Sequence, residues 1–446
     1  MPEPVECRHL RRRLRELAEQ VGQVLGQLRS ETLAERRAQL QERLGELEER
    51  IDSTRAQLEQ LGCHSPAPIE PGPRAPSLEE FGHSSMRITG KKALGPRRLL
   101  VALMEWDDVP AGSFLHLSDV HPLGYYEALG FGHPTPPFTT DPVNPASLTD
   151  YVRECSLGRF WFTRSGVLGP IPMGVFGNPG DAVHVTKVAK RIAELYPYMV
   201  FAADDDASSV VTTDELTVLV VENHKNRVPA NRGSLPVQFT VEDIGIPVTK
   251  TLHLALVAFA GATTPFYQIG HELAHSLGAL DMYNPGNQNS LLTLMGAYSF
   301  HSNDQGVVHL DAWHKLVLGW CEPRRAPLEP GGSAEVVEIS PGRPDGAVIL
   351  WDTAHQASEY FLVERRLPNG TRAYDASFPG DGLLIWHVDP ARPPMNLGAP
   401  NLAPGSNGVW QAGTSTPPLT WSDGTTAADS LTVQAGATPG ALRISW

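Results

Sequence analysis

The N-terminal region carries apolar positions that alternate spacings of four and three, a pattern typical of helices that pack against one another. One set runs from Leu10 to Leu28 and a second from Leu40 to Leu61. The two sets are out of register by two residues, so a turn between helices fits better than one continuous helix. We predict an antiparallel helical hairpin over residues 5–62. The alternative is a continuous dimeric coiled coil, and either form could serve self-association or partner docking.

Residues 63–86 have the composition of a linker, with prolines at positions 66, 68, 71, 73 and 76. Proline-rich segments are extended and semi-rigid. The sequence therefore predicts a spacer between the helical region and the rest of the chain.

Residues 87–325 alternate between strand-like apolar runs and amphipathic helices. Ser147 and Asp150 have the spacing of a helix N-cap, and a second helix is predicted at 185–195. This mixture predicts a twisted mixed sheet backed by helices. The predicted strands include Leu99–Trp106, Phe160–Phe162, Leu216–Val221 and Thr251–Phe259.

Residues 326–446 lose helical periodicity and consist of short strand-like runs between Gly and Pro turns. A C-terminal β-sandwich is predicted from this pattern, and the fold class predicted for the chain is α+β. The clearest runs are Ala347–Trp351, Tyr360–Val363, Leu383–His387 and Ala441–Trp446.

His271 and His275 stand four residues apart in a segment with helical periodicity, so both imidazoles project from one face and can bind one metal ion. The predicted N-cap is Thr264, with Pro265 at the first helical position. Glu272 is placed to act as general base on metal-activated water. The alternative is that both His are ordinary buried residues, an interpretation kept for His253, His301, His309 and His314.

The third metal ligand is predicted to be Asp281. No Glu lies between His275 and Cys321, which disfavours a Glu ligand from a later helix. Gly278 follows the last apolar position, where a left-handed conformation would end the helix and turn the chain back. Asp281 comes three residues after that glycine, the spacing of a third ligand in metzincins, and Met295 is placed for the methionine turn below the metal.

This motif resembles the active-site signature of the immune inhibitor A group of bacterial metallopeptidases, His-Glu-x-x-His-x-x-Gly-x-x-Asp-x-Tyr, and the match extends to Tyr283. The resemblance covers roughly residues 86–446. It implies a metzincin-like catalytic domain with a further domain packed on it. That family is usually secreted with a signal peptide and prosegment, whereas this chain starts with a charged helical segment. The other similar segments are Ser147–Tyr151, Gly158–Phe160, Leu310–Lys315, Gly319–Trp320 and Gly382–Asp389.

Two imidazoles and one carboxylate form a ligand set for Zn²⁺ that leaves a position for water and substrate. The predicted function is a zinc-dependent endopeptidase acting on protein or peptide substrates, with Glu272 as general base. Tyr283 and Tyr298 are candidates for transition-state support. The alternative is a catalytically silent or self-inhibited metallopeptidase-like binding or scaffold protein. In the self-inhibited form the N-terminal helices would cover the cleft as a prosegment.

A second acidic segment has the spacing of a twelve-residue calcium loop. Ser209 stands where such a loop normally has a glycine, and a strand follows instead of a second helix, so an EF-hand pair is excluded. Calcium binding and a merely solvated acidic loop are the two interpretations. The candidate ligands are Asp204, Asp206, Ser208, Val210, Thr212 and Glu215.

Composition and charge limit the classes of partner that the protein can bind. The formal net charge of -14 argues against nucleic acid as a binding partner. No apolar run reaches the length of about eighteen residues that a membrane-spanning helix requires. No secretory signal is visible at the start of the chain, which leaves the cytoplasm or export by a non-standard route. Four Cys are too few for a disulfide scaffold.

Overall fold

The computed structural model divides into two compact units, Met1–Arg74 and Ala75–Trp446. In the first unit it describes residues 13, 17, 20, 39, 43, 46, 47, 50, 53, 54 and 57. In the second it describes residues 75–82, 92–108, 116–132, 147–175, 181–206, 208–224, 230–243, 245–281, 293–296, 308–368, 374–375, 378, 380–389, 399–400 and 409–446. Over these residues the chain is mixed α/β, with several sheets and few helices, which confirms the prediction at that level.

Every described position of the N-terminal unit is helical. Leu17, Leu47 and Thr54 are buried, and all three belong to the predicted apolar repeats. The Thr54 hydroxyl donates to the Arg50 carbonyl oxygen at 2.7 Å, one helical turn earlier. Whether these helices form a hairpin or a coiled coil stays a prediction.

The larger unit contains eight α-helices among its described residues. In chain order they are α1 (Leu78–Phe81), α2 (Leu117–Val120), α3 (Leu123–Phe131), α4 (Leu148–Cys155), α5 (Asp181–Leu195), α6 (Pro197–Phe201), α7 (Phe266–His275) and α8 (Ala312–Val317). Within the same described residues, none of these is long and apolar enough to cross a membrane.

The described strands come in three runs along the chain. The first run is β1 (Gly95–Trp106), β2 (Phe160–Gly174), β3 (Val210–Thr212), β4 (Leu216–Glu222), β5 (Ala230–Arg232), β6 (Val237–Asp243), β7 (Ile246–His253) and β8 (Val257–Gly261). The second is β9 (Arg324–Pro327), β10 (Ser333–Val336), β11 (Val348–Trp351), β12 (Tyr360–Arg366), β13 (Gly382–Val388) and β14 (Ala399–Pro400). The last is β15 (Leu419–Thr420), β16 (Thr426–Ala428), β17 (Thr432–Ala435) and β18 (Leu442–Ser445).

A five-stranded sheet in the order β2-β1-β4-β8-β5 forms the centre of the larger unit. The first four strands are parallel, and β5 pairs antiparallel with β8 at one edge. Alternate residues of β1 face opposite sides, as the pleat requires. Leu99, Val101 and Leu103 join a core with α3, α4, α7 and α8, while Leu100, Ala102 and Met104 join one with α5 and α6.

Two local predictions are tested directly by the hydrogen bonds. The Ser147 hydroxyl accepts from the backbone N–H of Asp150 at 3.0 Å, which confirms the predicted N-cap of α4. The single strand predicted over Thr251–Phe259 is wrong. β7 ends at His253 and belongs to a three-stranded sheet, β3-β7-β6, whereas β8 belongs to the central sheet. The break occurs because the Leu254 N–H and carbonyl both bond to Ser234 instead of continuing a ladder.

The C-terminal strands form a five-stranded sheet, β14-β13-β12-β11-β9, and a three-stranded sheet, β10-β18-β17. The five-stranded sheet is buried on both faces. Val348 and Leu350 of β11 face a core shared with β17 and β18, while Ile349 and Trp351 face the core that contains α7 and α8. The C-terminal strands therefore help to cover the helix that carries the predicted metal ligands.

Candidate metal centre

The motif helix α7 leaves the end of β8 and carries both His residues on a buried face. The predicted N-cap at Thr264 is wrong, because the helix begins one residue later and has no side-chain cap. Pro265 occupies the N-cap position with no side-chain hydrogen bond. The Thr264 hydroxyl instead accepts from the Gly261 N–H at 2.8 Å, closing the turn between β8 and α7. This turn aims the helix back across the central sheet.

The C-terminus of α7 closes with a Schellman motif. The Ala279 N–H bonds to the Ala274 carbonyl at 3.1 Å and the Gly278 N–H to the His275 carbonyl at 2.9 Å. Gly278 has φ of 108°, a conformation that favours glycine, as the sequence predicts. The reversal brings Asp281 back beside the helix face that carries the His residues.

The three predicted metal ligands lie together. Nε2 of His271 is 3.1 Å from Oδ1 of Asp281, and Nε2 of His275 is 3.3 Å from the same oxygen. One ligand atom from each residue lies within 4.8 Å of the other two. The His side chains are 7% and 11% exposed and the Asp side chain 29%, so the cluster is buried but reachable from one side.

Backbone carbonyls orient both imidazoles. Nδ1 of His271 is 3.0 Å from the Leu294 carbonyl oxygen, and Nδ1 of His275 is 2.8 Å from the Ala279 carbonyl oxygen. Because a carbonyl only accepts, each Nδ1 donates its proton, and in the neutral ring Nε2 then carries the lone pair. Leu294 belongs to a short 3-10 helix, Leu294–Gly296, in which Met295 is fully buried.

The donor set fits a cation. Nε2 of both imidazoles and Oδ1 of Asp281 face a common point, and this oxygen is buried without a hydrogen-bond donor among the described residues. Burial by itself raises the pKa of the Asp281 carboxyl, but His271 and His275 outweigh it and hold that pKa well below its usual range. Burial lowers the pKa of His275, whereas Asp281 and Glu272 raise it more. The pocket therefore favours positive charge, and an N, N, O set suits Zn²⁺.

Glu272 lies between the two His on α7 and is half-buried. Burial raises the pKa of its carboxyl above the ordinary value, against the opposing effect of His271 and His275. A raised carboxyl pKa suits a group that must take and return a proton near neutral pH. The backbone at Glu272 is held by Asn231, whose Nδ2 donates to the Glu272 carbonyl at 2.7 Å.

Asn231 is a residue of the site that the sequence did not single out. It lies on edge strand β5, and its Nδ2 also contacts the Ser276 hydroxyl at 2.9 Å. Arg97, from β1, donates to the Ser276 carbonyl at 3.2 Å. Asn and Arg are common on solvent faces, and no local pattern connects them to the motif. Tyr283 and Tyr298 lie outside the described residues, and their predicted role stays a prediction.

The acidic segment brings together three of its six predicted ligands. Carboxylate oxygens of Asp204, Asp206 and Glu215 lie within 4.8 Å of one another. The other three form local hydrogen bonds. The Ser208 hydroxyl donates to the Val210 carbonyl at 2.8 Å, and the Thr212 hydroxyl donates to Glu215 at 3.0 Å. Val210–Thr212 is itself strand β3, so the segment is not one continuous loop.

Lys250 supplies positive charge at this acidic cluster. Its ammonium contacts Oδ2 of Asp204, a side chain that is fully buried. The same group donates to the Ser208 carbonyl at 3.2 Å and lies 4.7 Å from the ring centroid of Phe201. The cluster therefore already holds one protein cation from β7.

No family model matches this chain, and no curated protein matches it either. The likeness to the immune inhibitor A group therefore rests on the motif and the segments quoted above. The case for a candidate metal centre depends on the positions of four residues, His271, His275, Asp281 and Glu272.

Proposed function

We propose that this protein is a zinc-dependent endopeptidase. The observation that carries the proposal is the approach of His271 Nε2 and His275 Nε2 to one oxygen of Asp281, with both imidazoles turned so that their lone pairs converge. A shared cation accounts for two Nε2 atoms that lie this close to one carboxylate oxygen while a backbone carbonyl holds each Nδ1. Glu272 beside this pair favours turnover over mere metal storage, since a storage site needs no base.

The residues of the chain divide the work as follows. Zinc, when bound, lowers the pKa of water and polarises the substrate carbonyl. Glu272 accepts the proton of the attacking water and later returns it to the leaving amine of the cleaved peptide bond. Asp281, through its negative charge, makes the centre a weaker Lewis acid than three imidazoles would. The carbonyls of Leu294 and Ala279 keep both imidazoles in the tautomer that binds metal.

An extended peptide is the proposed form of the substrate. β5 is an edge strand that pairs only with β8 among the described residues, and its Asn231 is bonded to α7. Edge strands bind extended chains by adding a strand through main-chain hydrogen bonds. A substrate added here would run beside the helix that carries Glu272.

The finer features of the fold are part of this proposal. We infer a metzincin-like catalytic region from the helix, Schellman turn and Asp281, with Met295 as the methionine turn beneath the ligands. The two C-terminal sheets that share a core support a β-sandwich. The buried Leu17 and Leu47 support packed N-terminal helices, as a hairpin or as a coiled coil.

Zinc removal tests the proposal. We expect the protein to hydrolyse an unfolded protein substrate, to lose this activity when a chelator strips the metal, and to regain it with stoichiometric zinc. Metal content and cleavage are measured together on the full chain and on a form beginning at Ala75. Cleavage by the shorter form alone would make the N-terminal unit an inhibitory segment. Zinc binding without cleavage by either form would contradict the endopeptidase and favour the scaffold alternative.

We also propose that the acidic segment binds Ca²⁺. The support is the approach of three carboxylates, two of them from a short turn. Carboxylate oxygens are the ligands that calcium prefers. Lys250 competes for Asp204, so the site is expected to bind calcium weakly and to release the ammonium when it does.

Calcium is expected to raise the melting temperature of the protein. A ligand at one hundred times its Kd stabilises the native state by about 2.7 kcal/mol. Asp206→Asn should abolish most of this increase, because it removes one carboxylate of the cluster. Asp205→Asn is the matched control, since Asp205 pairs with Arg98 outside the cluster. An unchanged melting curve after a calcium chelator that spares zinc would refute the calcium proposal.

A further inference from the structure

A buried Asp–His pair lies next to the segment that carries the third ligand. Asp311 is the N-cap of α8, and both Asp311 and His314 are fully buried. Nδ1 of His314 is 2.7 Å from Oδ2 of Asp311 and, facing a carboxylate, donates its proton. Nε2 of His314 then accepts from the backbone N–H of Leu280 at 3.1 Å. Leu280 directly precedes Asp281.

The same carboxylate reaches a second segment. The Thr293 hydroxyl donates to Oδ2 of Asp311 at 2.7 Å and accepts from the Asp311 N–H at 3.1 Å. Thr293 is fully buried and directly precedes Leu294, whose carbonyl oxygen orients His271. One oxygen of Asp311 is therefore connected to the backbone on both sides of the metal cluster.

Helix capping alone does not account for this arrangement. Oδ1 of Asp311 accepts from the His314 N–H at 2.9 Å, which already satisfies the N-terminus of α8. The second oxygen and the imidazole are left for the two neighbouring segments. Burying an acid, an imidazole and a hydroxyl is costly unless each is hydrogen-bonded, and here each is.

The pair is mounted on the C-terminal sheet. Glu364 of β12 accepts from the Ala312 N–H at 3.0 Å, and Arg366 of β12 donates to the Leu310 carbonyl at 3.0 Å. The start of α8 is thus held from a strand whose other residues pack in the same core as α7. These hydrogen bonds fix Asp311 and His314 in position, which they need if they are to hold neighbouring segments in place.

We propose that Asp311 and His314 are positioning residues for the metal centre, and this rests on the proposed zinc function. They hold Asp281 through Leu280, and His271 through Thr293 and Leu294. The three ligands then already lie close together before the cation binds, so less conformational entropy is lost on binding. Neither residue contacts the reacting atoms.

Zinc affinity tests this inference. His314→Phe keeps a planar aromatic ring, somewhat larger than the imidazole, but loses both hydrogen bonds, and we expect zinc to bind about 10- to 100-fold more weakly, the range for residues that support metal ligands. His314→Gln retains an acceptor within reach of the Leu280 N–H and should recover most of the affinity. The full-length protein is titrated with zinc against a competing chelator, and its melting temperature without zinc is measured in parallel.

Two further variants separate positioning from general stability. Val317→Ala opens a cavity one turn along α8 and should lower the melting temperature without changing zinc affinity. Thr293→Val removes only the hydroxyl bonded to Asp311 and should weaken zinc binding even if His314→Phe does not fold. Wild-type affinity in both His314→Phe and Thr293→Val would overturn the inference and leave the zinc proposal intact. A wild-type protein that binds no zinc would overturn both.

Discussion

Replacing Glu272 with Gln is expected to lower kcat/KM for peptide hydrolysis by about 10²- to 10⁴-fold, the contribution of a positioned general base. The amide has nearly the shape of the carboxylate but cannot take the proton of the attacking water. Glu272 is not one of the converging ligands, so zinc content should stay at the wild-type level. The measurement is cleavage of an unfolded protein substrate, with metal content determined on the same samples.

Glu322→Gln is the control for this variant. Glu322 is 56% exposed and pairs with Arg159 at 2.7 Å, so its loss removes a surface carboxylate without touching the site. We expect full activity from it. If Glu272→Gln kept wild-type kcat/KM with zinc bound, another group would have to be the base and the assigned role of Glu272 would be wrong.

Removal of residues 326–446 is expected to unfold the larger unit and abolish zinc binding. Although a boundary after residue 325 is predicted from sequence, the contacts place Ala75–Trp446 in one compact unit. Each large apolar side chain lost from the core forfeits about 1.5–3 kcal/mol, whereas native domains are stable by only about 5–15 kcal/mol. The side chains lost from the core around α7 include Ile349, Trp351, Tyr360, Leu362, Leu384, Trp386 and Val388.

The truncation also breaks buried polar contacts. Arg366 donates to the Leu310 carbonyl at 3.0 Å, and Glu364 accepts from the Ala312 N–H at the start of α8. Circular dichroism and zinc titration of the truncated chain measure the effect. The control is the opposite trim, a chain that begins at Ala75, which should stay folded. A soluble 1–325 chain that binds zinc would contradict this prediction and show that the metal centre folds without the C-terminal strands.

Local features of this protein were predictable because short-range geometry sets them. The spacing of His271 and His275 places two imidazoles on one helix face in any α-helix. Gly278 adopts the left-handed conformation that the end of the apolar stripe indicates, and the reversal it allows delivers Asp281. The N-cap at Ser147 is likewise a contact over three residues.

Predictions failed where a local pattern had more than one solution. Thr251–Phe259 reads as one apolar run, but Ser234 interrupts its ladder and sends the halves to different sheets. Thr264 can cap a helix or close a turn, and here its hydroxyl accepts from the Gly261 N–H and closes the turn. In both cases the deciding partner comes from the packing of other elements.

The sequence by itself determined which residues converge as candidate ligands, because their spacing along one helix and one turn dictates their approach. The tertiary structure decided how they are held. The Leu294 carbonyl that orients His271 lies 23 residues along the chain, and the His314 ring that holds Leu280 lies 34 residues along it. Contacts at such separations depend on how the sheets and helices pack, which no periodicity within a single segment encodes.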